Sequence, residues 1–394
     1  MAADTALPRL LPDEDVQAPR GPADWRYTRL VLIAASIGIV FVFSATFFDG
    51  GRNLGAAGLH HLKRQALFLV VGLVVMVLAS YVRPQRWVRS PWLLGVFALG
   101  LVAMLLCRWG PLADPAGGSH CWLRLPGGNK LQPSEFTKVL HVLILAGILS
   151  QAAETRRARR RMLTGTLLML ALMCGALAIQ EDLGMALLVV SVTLAMLFAR
   201  GVSLPLLTGL ALLLASGGVL VAMRSPVRWQ RILIFLHPES DAGDTGYQLC
   251  QMRATLARGG VGGLGLGLCP EKWSALPASH TDSIFCIIGG ELGLLGAAGV
   301  IVLFWALTAR ALKLAQQSSS PALWHTGVGI GILMGIQALI HLGVATVSIP
   351  CTGLTLPFIS AGGSSLVASM ASAGIVLAVS RFPAQPPGEG TGSP

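Results

Sequence analysis

This sequence has little charge. Asp, Glu, Lys and Arg make up 12% of the 394 residues, against 54% hydrophobic. A soluble domain draws about a quarter of its residues from the charged set to cover its surface. A soluble enzyme carrying one membrane anchor is therefore excluded. Acidic residues are scarcer still, 18 against 29 Lys and Arg, which leaves a formal net charge of +11. In a soluble chain that excess would point to nucleic acid. In a chain this apolar it fits Lys and Arg on cytoplasmic loops beside anionic lipid, and no nucleic-acid partner is expected.

Several chemical signatures are missing too. The seven Cys include no CxxC and no metal-like spacing. Cys107, Cys174 and Cys286 fall in apolar stretches and read as small core hydrophobes. Cys121, Cys250, Cys269 and Cys351 fall in loops assigned to the outside, where pairing stays open. Gly259 to Gly267 is glycine-rich but lacks the Lys and Ser/Thr of a phosphate-binding loop, so it reads as flexible or tightly turning. No HExxH or GxSxG pattern stands out, and Asp241 and Asp244 read as a solvated turn. The N-terminal residues are polar and rich in Pro and Asp, unlike a signal peptide. Residues 1–27 and 382–394 are expected to be disordered cytoplasmic tails.

What is present is a series of apolar runs long enough to cross a bilayer. They predict an all-α, polytopic bundle over residues 28–381, with about ten helices near 28–48, 65–82, 91–107, 136–152, 163–180, 183–199, 203–223, 283–309, 322–346 and 358–380. With the N-terminus inside, sixteen of the 29 Lys and Arg lie on the cytoplasmic side, and the Arg156–Arg161 cluster is the strongest local signal. Both termini are then cytoplasmic. The outer face carries a loop at 108–132, a long extracytoplasmic loop at 224–282 between the seventh and eighth helices, and a Gly/Pro-rich stretch at 350–365. Loops of that length carry function or are disordered. Trp229, Phe235, Tyr247 and Trp273 make the longest one too aromatic for plain disorder.

Ionisable groups at membrane depth are costly and need a reason. Glu135 and Lys138 open the fourth helix behind Pro133 and share a face, so they suit either a helix-end ion pair or a functional pair. Glu181 and Asp182 fit a polar turn capping the next helix. Glu291 lies inside the eighth helix, roughly 13 Å from its start, where no turn explains it. His280-Thr281-Asp282 precedes that helix. Thr and Asp suit an N-cap, yet an Asp at an outer mouth could also accept a proton from a sugar hydroxyl. Residues 353–365, GLTLPFISAGGSS, suggest a broken entry with backbone N–H groups able to hold an anion, or an ordinary loop-to-helix joint.

Taken together, these residues resemble the SEDS family, the FtsW/RodA/SpoVE proteins of bacterial cell-wall synthesis. Leu276-Pro277-Ala278-Ser279-His280-Thr281-Asp282-Ser283-Ile284-Phe285 with Gly290-Glu291-Leu292-Gly293 is similar to that family's L-P-E-x-H-T-D-F-I-F and E-E-L-G stretch. Gly353 to Ser365 is similar to its G-L-x-L-P-F-I-S-Y-G-G-S-S. Lys63-Arg64-Gln65, Trp122-Leu123-Arg124-Leu125, Gln132-Pro133-Ser134-Glu135 with Lys138, Asp182-Leu183-Gly184, Arg231-Ile232, Pro238 and Gly246-Tyr247-Gln248 follow in family order. Leu354 to Ile359 and Ser364-Ser365 look more like the FtsW branch than the RodA branch.

The resemblance implies a ten-helix bundle that polymerises lipid II into glycan strands at the outer face of the bacterial cytoplasmic membrane, at the division septum. It implies a class B penicillin-binding protein and other divisome membrane proteins as partners. Asp282 matches the family's essential aspartate, which is expected to deprotonate the acceptor sugar. Glu135, Lys138 and Asp182 match polar residues near its central cavity. Arg64, Lys138 and Lys272 are expected to hold pyrophosphate, and His280, Thr281, Glu291, Ser364 and Ser365 to bind or support. A divalent cation, Mg or Mn, with Asp282 as ligand, is a further expectation. The chain departs from the family at Ala278, Ser283, Gly290, Ala361, Met185 and His341, where Glu, Phe, Glu, Tyr, Thr and Asn are usual. A lipid flippase and a non-catalytic scaffold for a penicillin-binding protein are the competing classes.

Overall fold

The computed structural model describes residues 21–47, 56–116, 119–125, 130–153, 155–224, 226–240, 245–273, 276 and 279–384. Most of the expected tails, with Asp241, Asp244 and Ala278, lie outside the described residues. Among the described residues the chain forms α1 (Trp25–Thr46), α2 (Ala56–Ser80), α3 (Pro84–Trp87), α4 (Pro91–Trp109), β1 (Ala113–Ala116), β2 (Ser119–Arg124), β3 (Lys130–Leu131), α5 (Pro133–Leu149), α6 (Arg156–Gln180), α7 (Leu183–Ala199), α8 (Leu204–Met223), α9 (Pro226–Leu236), α10 (Thr245–Gly259), α11 (Ile284–Gln316), α12 (Pro321–Ala345) and α13 (Gly363–Ser380). Each of the ten expected spans has its helix. The protein is a multi-pass membrane protein: among the described residues, eight helices are long and apolar enough to cross a bilayer. Two more, α5 and α7, have 17 residues each, about 25 Å of helix.

Local signals fix the helix starts. Pro occupies the first turn of α4, α5, α8 and α12, where its missing N–H costs nothing. Asp24, Thr155, Asp182 and Ser320 accept hydrogen bonds from Tyr27, Ala158, Met185 and Leu323 backbone N–H groups and cap α1, α6, α7 and α12. Glu181 closes α6 in the left-handed region (φ 66°).

Burial orders the bundle. Within their apolar windows α12 is 67% and α13 78% buried, against 11% for α8 and 17% for α2. Thus α12 and α13 form the centre, and α8 and α2 face lipid. The central helix α12 packs on α11, α5, α7 and α13, and α13 lies along α2.

Three features were not anticipated. The 108–132 loop is an antiparallel sheet, β1-β2-β3, in which Leu123 stands opposite both Ala113 and Leu131. The long 224–282 loop contains α9, α10 and two 3-10 turns. Helix α11 is broken at Gly293 (φ 67°, ψ −163°). The glycine-rich segment fills that break: Leu264 and Gly265 N–H donate to Gly290 and Glu291 carbonyls, while Leu294 and Leu295 N–H donate to Gly260 and Val261. Backbone groups freed at membrane depth must find partners inside the protein, and these four bonds supply them.

The N-terminal segment is tied to the cytoplasmic ends expected for α11 and α13. Gly21 N–H donates to Arg381 O at 2.9 Å, and the Asp24 carboxylate takes two hydrogen bonds from Arg310. Burial raises the Asp24 pKa, but Arg310 and the Tyr27 N–H outweigh it and hold the carboxyl below its ordinary value. A depressed carboxyl stabilises the fold above the unfolded pKa and loses that contribution as pH falls through the folded one. Asp24→Asn is expected to cost about 1–2 kcal/mol near neutral pH, read as a lowered melting temperature in detergent. The difference from wild type is expected to vanish in acid.

Candidate active site

The segment 280–283 enters α11 and is held against the loop between α12 and α13. Ala361 N–H donates to His280 O at 2.8 Å, and Ser360 Oγ donates to Thr281 O at 2.9 Å. Leu356 N–H donates to the same Ser360 Oγ. From α2, Gln65 Nε2 reaches Ser360 O at 3.5 Å, and the His61 ring lies 5.0 Å from that of His280. Both peptides before Asp282 are thus anchored, and its side chain stands half-buried. The N-cap position of α11 falls to Ser283, whose side chain makes no capping bond, rather than to Thr281 or Asp282.

Gly353 faces Asp282. Its φ of +70° lies in the left-handed region, where a side chain is strained, and a Cβ built there would stand 4.0 Å from Asp282 Oδ2. A methyl group there would only touch the carboxylate, so it is the positive φ that favours glycine. Helix α13 begins at Gly363 rather than near 358, because the chain turns through Phe358 with φ 66°.

A second group of polar residues meets the same loop from the bundle interior. Lys138 Nζ lies 2.5 Å from Glu135 Oε2 and 2.8 Å from Gln337 Oε1. Gln337 Nε2 donates to Thr355 O at 2.9 Å, and the Thr355 and Ser365 hydroxyls meet at 2.5 Å. Ser364 Oγ accepts from Gln132 N–H at 3.1 Å, just ahead of α5. Glu135, Lys138, Ser364 and Ser365 therefore belong to one network. Asp182 caps α7 and approaches Cys121 Sγ at 3.5 Å. Desolvation pushes its carboxyl up, opposed by the Met185 N–H and Cys121; Glu135 adds to the rise and Lys138 opposes it.

Two sequence expectations need correction. Lys272 does not face the outer mouth. Its side chain is 1% exposed, bonded to Glu291 at 2.6 Å and to Ser44 Oγ at 3.0 Å. Ser44 also donates to Glu291 at 2.7 Å. Glu291 needs a countercharge where no water reaches, and the 3-10 turn Pro270–Trp273 delivers Lys272 to it. Glu291 therefore joins α1, α11 and the long loop. Lys138 is likewise held inside by Glu135 and Gln337, at 3% exposure, and does not face the outer mouth either. Arg64 remains half-exposed on α2, its guanidinium 5.9 Å from the Phe68 ring.

Sequence reasoning missed Gln337 and Thr355, which connect the α5 ion pair to the loop. An amide inside an apolar helix was the available signal for Gln337. None of the seven cysteines is joined in a disulfide. Among the described residues no three His, Cys, Asp or Glu side chains gather as a metal-ligand cluster.

The profile of the cell cycle protein family FtsW/RodA/SpoVE matches residues 24–385. The chain belongs to this family. It is 34% identical to a "Probable peptidoglycan glycosyltransferase FtsW" of Trichlorobacter lovleyi, over 93% of this chain and 96% of the relative. It is 32% identical to the protein of the same name from Coxiella burnetii, over 90% of this chain and 95% of that one. Among solved structures, a chain from a study of structural coordination of polymerization and crosslinking by a peptidoglycan synthase complex superposes with a TM-score of 0.74. It shares 29% identity, over 91% of this chain and 98% of that chain. Thermus thermophilus rod shape determining protein RodA gives a TM-score of 0.66 at 25% identity, over 92% and 98%. In this FtsW/RodA/SpoVE chain the shared fold thus spans the bundle and the loops that hold Asp282.

The buried Lys138–Glu135 pair makes a direct prediction. Lys138→Met leaves Glu135 charged without its partner and is expected to cost about 3–5 kcal/mol, whereas Lys138→Met with Glu135→Gln should cost clearly less. Thermal unfolding of the purified variants measures the difference.

Proposed function

We propose that this chain is a peptidoglycan glycosyltransferase that polymerises lipid II into glycan strands on the outer face of the bacterial cytoplasmic membrane, at the division septum. The observation that carries the reading is the half-buried Asp282 carboxylate, with both preceding peptides anchored to the loop between α12 and α13. The names of the FtsW relatives support the activity and the septal role. The synthase-complex neighbour supports a class B penicillin-binding protein as partner, with other divisome membrane proteins around it. The arginine cluster supports an orientation with both termini cytoplasmic.

In the proposed mechanism Asp282 takes the proton of the acceptor's GlcNAc 4-hydroxyl. That oxygen bonds to the donor's MurNAc anomeric carbon with inversion. The bond from that carbon to the lipid pyrophosphate breaks, and the pyrophosphate keeps the electron pair. A pyrophosphate leaves without a strong acid, so one carboxylate suffices where a glycosidase needs two. Arg64, half-exposed on α2, is the candidate to hold the pyrophosphate charge. The protein supplies no cage for Mg or Mn among the described residues. Asp282 would be one ligand of a cation otherwise held by water and substrate phosphate, where it would neutralise leaving-group charge.

Asp282→Asn is expected to lower strand synthesis by at least about 100-fold while the protein still inserts and melts as wild type does. The assay is lipid II polymerisation by the full chain purified with its partner, scored by product length on a gel. Undiminished strands from the Asn variant would refute the assignment. Movement of labelled lipid II across liposomes without strand formation would instead favour a flippase.

A further inference from the structure

We infer that His341 is a positioning residue for Asp282, acting through the backbone of Leu354. The inference rests on the glycosyltransferase reading above. His341 and Gln337 lie one turn apart on the same face of α12, both buried. They hold consecutive peptides: His341 Nδ1 meets Leu354 O at 2.8 Å, and Gln337 Nε2 meets Thr355 O at 2.9 Å. A carbonyl oxygen only accepts, so Nδ1 carries the ring proton and Nε2 is a bare acceptor. That Nε2 is buried and meets no hydrogen-bond partner among the described residues. Leaving it so is unfavourable, and an apolar side chain would fill the space without that penalty. The bond to Leu354 is what the imidazole adds.

The place of that bond gives it its role. Leu354 follows Gly353, the residue that lies beside Asp282 Oδ2, where a built Cβ would stand 4.0 Å from that oxygen. The far end of the same loop is fixed independently, by Ser360 and Ala361 on the carbonyls of Thr281 and His280. The loop therefore bridges α12 and the segment carrying Asp282. Gln337 fixes Thr355, one peptide further along, and His341 fixes the peptide adjoining Gly353. Without His341 the chain at 353–354 gains freedom to swing toward the carboxylate or away from it. An Asn at this position carries an amide Nδ2–H at the same number of bonds from Cβ as the imidazole Nδ1–H. It can make the same bond without the second nitrogen.

The test compares wild type with His341→Leu, His341→Ala and His341→Asn, each as the full chain co-expressed and purified with its partner. Two measurements are taken. One is the lipid II dependence of strand synthesis. The other is the alkylation rate of the native, half-buried Cys351 thiol, two residues before Gly353, read by peptide mass spectrometry. Loss of the bond is expected to lower the maximal rate at least about tenfold, with the half-saturating lipid II concentration unchanged. It should also raise Cys351 alkylation about threefold or more. His341→Asn should restore both values to within about threefold of wild type, which a role in packing alone would not do. The Ala variant serves if Leu does not insert. Unchanged rate and unchanged Cys351 reactivity in the apolar variants would overturn the inference, as would an Asn variant as impaired as Leu. A wild-type complex that makes no strands would instead sink the glycosyltransferase reading, while the Cys351 comparison would still rule on the clasp.

Discussion

A single ammonium group at the centre of an apolar bundle sets the terms for the rest. Lys138 sits where water is excluded, and a bare charge there would be very costly. Glu135 neutralises it and Gln337 completes its hydrogen bonding. Because Gln337 uses its carbonyl oxygen on Lys138, its NH2 is left to point at Thr355 O. The charge deep in α5 thereby dictates which way the loop between α12 and α13 must face. That loop in turn grips the two peptides ahead of Asp282.

Several charges in this protein hold its elements together. Lys138 with Glu135 and Gln337, and Lys272 with Glu291 and Ser44, are almost wholly buried and join elements distant in sequence. Asp282 and Arg64 lie half-buried at the mouth, with the backbone around Asp282 immobilised.

The helices were legible because a bilayer permits little else, so each hydrophobic run announced its span. Helix starts were legible where Pro133 and Asp182 gave a local chemical reason. The β1-β2-β3 sheet was not, since strands of two to six residues take their identity from partners across the ladder. Glu291 and Asp282 drew attention because acidic groups in apolar surroundings are expensive. Lys272 misled because a loop position does not tell whether a side chain turns outward or inward. Gln337 was invisible because a neutral amide in a long apolar helix has many bland explanations. Its meaning depends on Lys138, 199 positions away.

The break at Gly293 divides α11 into two parts. The first turns of α11 share backbone bonds with Leu264 and Gly265, and the rod that continues the helix against α12 is bonded at Leu294 and Leu295 to Gly260 and Val261. Mechanically, the glycine-rich segment of the long loop is a splint across the break, fastened to both halves of the helix. A strain applied to that loop reaches Asp282 through a hydrogen-bonded stub about two turns long.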